Sequence, residues 1–562
     1  MATGEGRHEG AAAIRLRGVS FTYEEGTAPA LHDVSLTIHR GEFAVVMGAT
    51  GAGKTTLAKL LNRTIPAFQL GHLTGEIEIL GRRFDQQRVA DVADTVGLVS
   101  QDFEAQLFAT NVAQEVAFGM EQRGIARDIM MRRLGDALAK VGLQGFEPRD
   151  PATLSGGEKQ RLAIAAVLAL QPRVLVFDEP TTDLDPQGKV EIFDVLAAMR
   201  RQGFTIVLIE HEIGAAERAD RLVLMADGRI VADDHPDRLL PEVERLEELG
   251  VRPADLDRLN RALRSPTRAT TVSEAEALVR SRYRVNPALP PGQAEDGEPL
   301  LSVESLSYVY EGGREALADV SLRVRTGEFL ALIGQNGSGK TTLAKHLNGL
   351  LHPTRGCVRV RGQDVRQLPL HQVAADVGYV FQNPDHQIFA ATVRDEVAFG
   401  LRNFGVAEPE MERRIRMALD AVGLVGLEQE DPFLFGKGQR ERLAVASLLA
   451  LEPRVLILDE PTTGLDYREQ RRMMDLLRAL HQRGMTVIVI THSPWVVAEY
   501  AQRGILMQGG RIVCDGPLRE LLAREELLAR CHFRVPDITR LGLRLGFTPL
   551  TLDEFVAALD PV

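Results

Sequence analysis

Cysteine is scarce: Cys357, Cys514 and Cys531 are the three in 562 residues, and no two stand at CxxC spacing. That excludes a disulfide framework and a cysteine-built zinc site, and it suits a reducing compartment. Long apolar runs are missing as well. The longest, Leu162–Leu170, has nine residues, whereas a spanning helix needs about 20, so no segment reads as crossing a bilayer. The opening MATGEGRHEG is polar and lacks the apolar core of a signal peptide. Positive charge is outnumbered, with 66 Lys and Arg against 78 Asp and Glu and a net charge of −12. That is a poor balance for coating nucleic acid. What remains is ordinary globular composition, 44% hydrophobic and 26% charged. At about 150 residues per domain, the length predicts three or four domains or fewer large ones.

Nearly every informative segment occurs twice. Ser20-Phe21-Thr22-Tyr23 followed by Ala30–Leu36 returns as Ser307-Tyr308-Val309-Tyr310 followed by Ala316–Leu322. Gln101, Glu179 and His211 return as Gln382, Glu460 and His492, each 281 residues later. So long a period is that of two whole domains in tandem, not of a solenoid. Residues 286–299 (NPALPPGQAEDGEP) have the Pro-, Gly- and acid-rich composition of a linker. Leu239, Val243, Leu246 and Leu249 fall at helical spacing before it, and Pro253–Leu259 and Thr271–Glu274 resemble Pro536–Leu541 and Thr551–Glu554 near the end. The expected organisation is a flexible tail 1–13, a domain 14–235, a helical extension 236–285, a linker 286–299, a second domain 300–515 and a second helical extension 516–562. Apolar runs alternate with helical segments, which predicts an α/β fold with a largely parallel sheet in each domain.

The chemistry sits at the ends of those runs. After Phe43–Met47 comes Gly48-Ala49-Thr50-Gly51-Ala52-Gly53-Lys54-Thr55-Thr56, and after Phe329–Ile333 comes Gly334-Gln335-Asn336-Gly337-Ser338-Gly339-Lys340-Thr341-Thr342. Glycines at this spacing let successive backbone N–H groups converge on phosphate oxygens, and the helix that follows adds its positive end. Lys54 and Lys340 suit the β- and γ-phosphates, and Thr55 and Thr341 suit Mg²⁺. Asp178-Glu179 and Asp459-Glu460 end the next predicted strands, where open α/β sheets bind ligands. Asp178 and Asp459 are the acids expected to hold Mg²⁺ through water; Glu179 and Glu460 are expected to orient or deprotonate the attacking water. His211 and His492 are expected to hydrogen-bond the γ-phosphate.

These residues resemble the ATP-binding cassette (ABC) ATPases, and the resemblance covers both domain cores. It implies two P-loop nucleotide-binding domains, each with a helical subdomain, using ATP and Mg²⁺. The family's signature, normally Leu-Ser-Gly-Gly-Gln, is matched by Leu154-Ser155-Gly156-Gly157-Glu158 and only loosely by Phe435-Gly436-Lys437-Gly438-Gln439. By the resemblance, Tyr23 and Tyr310 stack on adenine, and Gln101 and Gln382 touch Mg²⁺. ATP lies between the P-loop of one domain and the signature of the other. The site of Lys340, Glu460 and Ser155 then has every expected part, whereas that of Lys54 and Glu179 faces Gly436 and Lys437. Gly436 lacks the serine hydroxyl and Lys437 replaces a bare glycine, so unequal turnover is expected.

Gln101–Gly119 and Gln382–Gly400 resemble the corresponding segments of energy-coupling-factor importers, which take up vitamins, their precursors, or cobalt and nickel. The resemblance implies a motor at the cytoplasmic face of the cell membrane. Its partners would be an integral membrane coupling protein and a small membrane substrate-binding protein; no nucleic acid and no direct contact with the transported substrate are implied. Two alternatives stay open: a tandem sugar-import ATPase, and a soluble tandem cassette acting on ribosomes or nucleic acid. The latter tends to carry a long charged insert, two intact signatures or a cysteine-rich module, none of which is seen in this sequence.

Overall fold

A computed structural model describes residues 11–26, 28–83, 87–182, 184–287 and 299–561. Residues 1–10 of the expected tail, 288–298 of the expected linker and Asp183 lie outside them. The chain divides between Ala254 and Asp255 into two compact units.

In the first unit, strand Phe43–Gly48 is buried along its whole length. Phe43, Val45 and Met47 enter one core while Ala44 and Val46 enter another. A strand covered on both faces needs no polar alternation, which is why this run is continuously apolar. It lies inside a six-stranded sheet ordered Arg229–Asp234, Arg221–Ala226, Phe43–Gly48, Thr205–Ile209, Val174–Asp178, Val96–Val99. Only the first pair is antiparallel. A four-stranded antiparallel sheet led by Ala12–Tyr23 covers one face, with helix Lys54–Leu61 in the same core through Leu57, Leu60 and Leu61. Helices Val112–Glu121, Arg127–Lys140 and Gly156–Ala169 cover the other, bringing Val116, Leu138 and Ile164 into one core with Phe177 and Leu208. The second unit repeats the plan around Phe329–Gly334, again with a six-stranded and a four-stranded sheet. Both units therefore have the expected α/β P-loop fold with a helical subdomain.

The helical extensions are arranged in a way that the sequence does not disclose. Leu239, Leu240, Leu246 and Val251 complete the first unit's core. From Asp255 onward the first extension belongs to the second unit, where it shares a core with the end of the chain: Leu259, Val272, Ala275 and Val279 pack with Ile538, Leu541, Phe547 and Phe555. Phe547 and Phe555 stack at 5.6 Å. The two segments also exchange strands, Tyr283–Val285 running antiparallel to Leu559–Pro561. Thr271 and Thr551 cap the helices that carry this core, each hydroxyl accepting from the backbone N–H of Glu274 or Glu554 at 3.2 Å. The covalent tie from the first unit to the second is therefore the short stretch around Ala254, and the Pro-rich run connects two parts of one unit. Cutting the chain between Val285 and Pro299 is expected to leave both halves in one particle on size-exclusion chromatography without nucleotide. Phe555→Ala, which removes a fully buried ring at a cost of about 3–5 kcal/mol, is expected to let the cut halves separate.

Candidate active site

Each P-loop turns tightly between a buried strand and a helix, and two glycines are forced by their surroundings. Gly48 (φ +152°) and Gly334 (φ +148°) leave room for no side chain, since a Cβ would lie 2.1 Å from the Met225 carbonyl oxygen or 2.3 Å from that of Met507. Gly53 and Gly339 adopt left-handed φ of 93° and 102° just before their helices, a conformation that glycine takes without strain. Lys54 and Lys340 are 5% and 6% exposed. The Lys54 ammonium donates to the carbonyls of Gly48 and Ala49, both at 2.9 Å, and that of Lys340 to Gly334 and Gln335 at 2.7 and 2.8 Å. A buried cation curled over a loop of convergent N–H groups is a donor set that fits a polyphosphate.

Thr55 Oγ1 donates to Asp178 Oδ1 at 3.2 Å and Thr341 Oγ1 to Asp459 Oδ2 at 2.7 Å, so each hydroxyl meets the acid of its own unit. Burial, then the neighbouring Glu179 charge, pushes Asp178 up to about 6. Burial likewise raises Asp459, against hydrogen bonds from Thr341 and Tyr379. Buried carboxylates raised in this way beside a hydroxyl suit a divalent cation, whose charge offsets the cost of ionising them.

Glu179 and Glu460 occupy the left-handed region, at φ 49° and 51°, with backbone N–H groups donating to Ile209 and Ile490. Strain of this kind, of order 1–3 kcal/mol, collects at functional positions. The histidines lie on these glutamates: His211 Nε2 is 2.9 Å from Glu179 Oε1, and His492 Nδ1 is 2.9 Å from Glu460 Oε1. The expectation from sequence placed both on phosphate. Gln101, expected on Mg²⁺, donates instead to Glu179 Oε2 at 2.8 Å, and Thr182 reaches the same oxygen at 3.3 Å. Burial raises Glu179, but the His211 hydrogen bond and charge, with Lys54, outweigh it and hold the carboxyl below its usual range. At Glu460 the second oxygen lacks such partners: Oε2 is buried without a hydrogen bond among the described residues. Gln382, the counterpart of Gln101, is exposed.

The tyrosines are anchored next to the loops. Tyr23 and Tyr310 each place the hydroxyl 3.1 Å from the second P-loop threonine, Thr56 or Thr342, and meet Phe21 or Tyr308 edge-on at 4.9 Å. The signatures open helices. Ser155 caps Gly156–Ala169, its Oγ accepting from Glu158 N at 3.3 Å while its own N–H donates to the Glu158 carboxylate at 2.7 Å. At Gly436 only the second of these bonds has a counterpart, N–H to Gln439 Oε1 at 3.3 Å. Lys437 then begins helix Lys437–Leu449. Two further site residues went unread in the sequence, and comparing the repeats position by position would have exposed them. Tyr379 donates to Asp459 where the first copy has Leu98, and buried Glu210, held by Thr181 Oγ1 at 2.6 Å, stands where the second copy has Thr491.

The family model described as ABC transporter matches residues 31–182 and 317–463. A relative from Caldanaerobacter subterraneus subsp. tengcongensis is 44% identical over 558 residues, covering 97% of this chain and 98% of its own. A relative from Methanosarcina acetivorans is 39% identical over 568 residues, covering 97% and 92%. The names of both assign them, provisionally, to the ATP-binding proteins of ABC transporters. Among solved structures, CbiO1 of Clostridium perfringens, described as part of the ABC transporter complex CbiONQ, is 34% identical. It matches 44% of this chain and 99% of its own, with a TM-score of 0.39.

Proposed function

The chain belongs to the ABC transporter family as a tandem ATPase that binds ATP with Mg²⁺, and from that premise we propose that it is the motor of a membrane importer of the energy-coupling-factor type. Its place is the cytoplasmic face of the cell membrane, beside an integral membrane coupling protein and a small membrane substrate-binding protein. It touches neither nucleic acid nor the transported substrate. No helix among the described residues is long and apolar enough to cross a membrane, and the proposal gives the translocation path to the partners.

The observation that carries this reading is an exposed aromatic pair repeated in both units next to the glutamine segments. Phe108 and Phe118 meet edge-on at 4.6 Å while 61% and 40% exposed; Phe389 and Phe399 meet at 4.7 Å while 58% and 47% exposed. Each pair is built to stay outside. Buried Glu115 accepts from the Phe108 and Ala109 N–H groups at 2.9 and 2.7 Å, and buried Glu396 does the same for Phe389 and Ala390 at 3.0 and 2.9 Å. Paired rings held in water at equivalent places suit an apolar helix of a partner.

In the proposed cycle, Lys54 and Lys340 leave the loop carbonyls for phosphate oxygens. Thr55 with Asp178, and Thr341 with Asp459, would hold Mg²⁺, which would neutralise phosphate charge. Glu460 Oε2 takes a proton from the attacking water, with His492 fixing the other oxygen. Ser155 keeps the signature hydroxyl that could donate to a γ-phosphate, and Gly436 lacks it. Turnover is therefore unequal, and most hydrolysis falls to the site of Lys340 and Glu460.

Affinity purification from detergent-solubilised membranes is expected to recover a multi-span coupling protein and a small substrate-binding membrane protein. Phe108→Asp combined with Phe389→Asp is expected to weaken that assembly by at least about 100-fold, or 2.7 kcal/mol, of the order of a hot-spot loss, with ATP binding intact. Recovery of sugar-import membrane subunits would favour the sugar alternative, and recovery of ribosomes without membrane proteins would end the importer reading.

A further inference from the structure

The strand leading to each glutamine segment runs beside the acid of its own P-loop site, and there the two units differ. Val377–Val380 pairs in parallel with Val455–Asp459, setting Tyr379 next to Ile457. Tyr379 is 6% exposed, and its hydroxyl donates to Asp459 Oδ2 at 2.9 Å. That oxygen also accepts from Thr341 Oγ1 at 2.7 Å. The ring is itself fixed, packing edge-on against Phe381 at 5.1 Å. In the first unit, Val96–Val99 pairs with Val174–Asp178 in the same register and sets Leu98 at the matching place. An alkyl chain offers no donor, and Asp178 meets Thr55 at a looser 3.2 Å on its Oδ1. Ser100 replaces the supporting ring of Phe381.

We propose that Tyr379 is a positioning residue of the second nucleotide site: with Thr341 it locks Asp459 Oδ2, leaves Oδ1 for the Mg²⁺ shell, and makes metal binding tighter there than at the first site. A carboxylate held by two donors on one oxygen has its plane set before the metal arrives, whereas one held by a single 3.2 Å contact must be ordered on binding. This rests on the reading of Lys340, Thr341 and Asp459 as an ATP and Mg²⁺ site. It adds a source of inequality between the two units that is independent of the signatures.

The test uses the full chain carrying Lys54→Ala, so that the second loop is the remaining phosphate cradle, with Mn²⁺ followed by electron paramagnetic resonance and the non-hydrolysable analogue AMP-PNP as nucleotide. Tyr379→Phe, which removes one oxygen atom, is expected to raise the Mn²⁺ dissociation constant about tenfold. AMP-PNP binding in EDTA and the unfolding temperature should stay unchanged. Tyr379→Leu, which copies the first unit, is expected to weaken Mn²⁺ at least as much. The chain carrying Lys340→Ala, which reports the first site, should match Tyr379→Leu within about threefold. An unchanged Mn²⁺ constant in Tyr379→Phe would overturn the proposal. So would an equal loss of metal-free AMP-PNP binding, which marks a packing role. Failure of the Lys54→Ala parent to bind AMP-PNP at all would instead remove the nucleotide site itself, and the proposal with it.

Discussion

Glu460→Gln is expected to lower steady-state ATP turnover by about 10²–10⁴-fold, the range of a lost general base, while Glu179→Gln lowers it by less than about threefold. The two glutamates share strand position, backbone conformation and a histidine at 2.9 Å. They differ at the other oxygen. Glu179 Oε2 is occupied by Gln101 and Thr182, and a carboxylate already accepting two hydrogen bonds there is a weaker and less accessible base. Glu460 Oε2 is buried and accepts no hydrogen bond among the described residues. The two signatures are unequal as well: Gly436 has no hydroxyl to donate, and one missing preorganised donor raises a barrier by about 2.7–4 kcal/mol. Phosphate release from the purified chain measures both variants. Equal losses would remove the asymmetry.

The second large effect concerns stability. Glu441 lies in the helix that begins at the second signature, is 1% exposed, and has both carboxyl oxygens buried without a hydrogen-bond partner among the described residues. Burial pushes it up to about 8, with Asp385 adding to the shift and Lys437 and Arg440 opposing it. The folded value lies above the ordinary 4.5, so the protonated carboxyl supports the fold fully below about pH 4.5. That support fades as pH rises towards 8, because the unfolded chain ionises first. At pH 7 the difference is worth about 3 kcal/mol, at 1.36 kcal/mol per pH unit. Glu441→Gln removes the ionisation and installs the residue that the first unit carries there, Gln160, which is also fully buried. The variant is expected to gain about 3 kcal/mol at pH 7 and under about 1 kcal/mol at pH 5, read from the second unit's denaturation midpoint at each pH. A gain independent of pH would show that packing, not charge, sets the effect.

How far the sequence reaches can be seen in particular residues. The P-loops, their strands and the acids at the strand ends are legible because each is local: a buried run, forced glycines, a lysine at fixed spacing. The altered second signature is legible as missing atoms, a hydroxyl gone at Gly436 and a side chain added at Lys437. Contacts between distant segments are not. Spacing puts His211 and His492 after a strand, but the oxygen that each ring nitrogen meets depends on the left-handed turn at Glu179 and Glu460. The likeness of Pro253–Leu259 and Thr271–Glu274 to Pro536–Leu541 and Thr551–Glu554 says that the two extensions repeat; it does not say that they cover each other. Tyr379 reads as one more apolar strand residue until the neighbouring strand brings Asp459 within 2.9 Å of its hydroxyl.

The strand exchange at the ends of the two extensions bears on subunit stoichiometry. Arg284 lies across from Asp560 in that short ladder. Two first-half strands would set arginine against arginine, and two second-half strands aspartate against aspartate, each disfavoured by like charge. Were the halves encoded as separate polypeptides, this small junction would sort them into mixed pairs. Every assembled motor would then receive one complete and one altered signature.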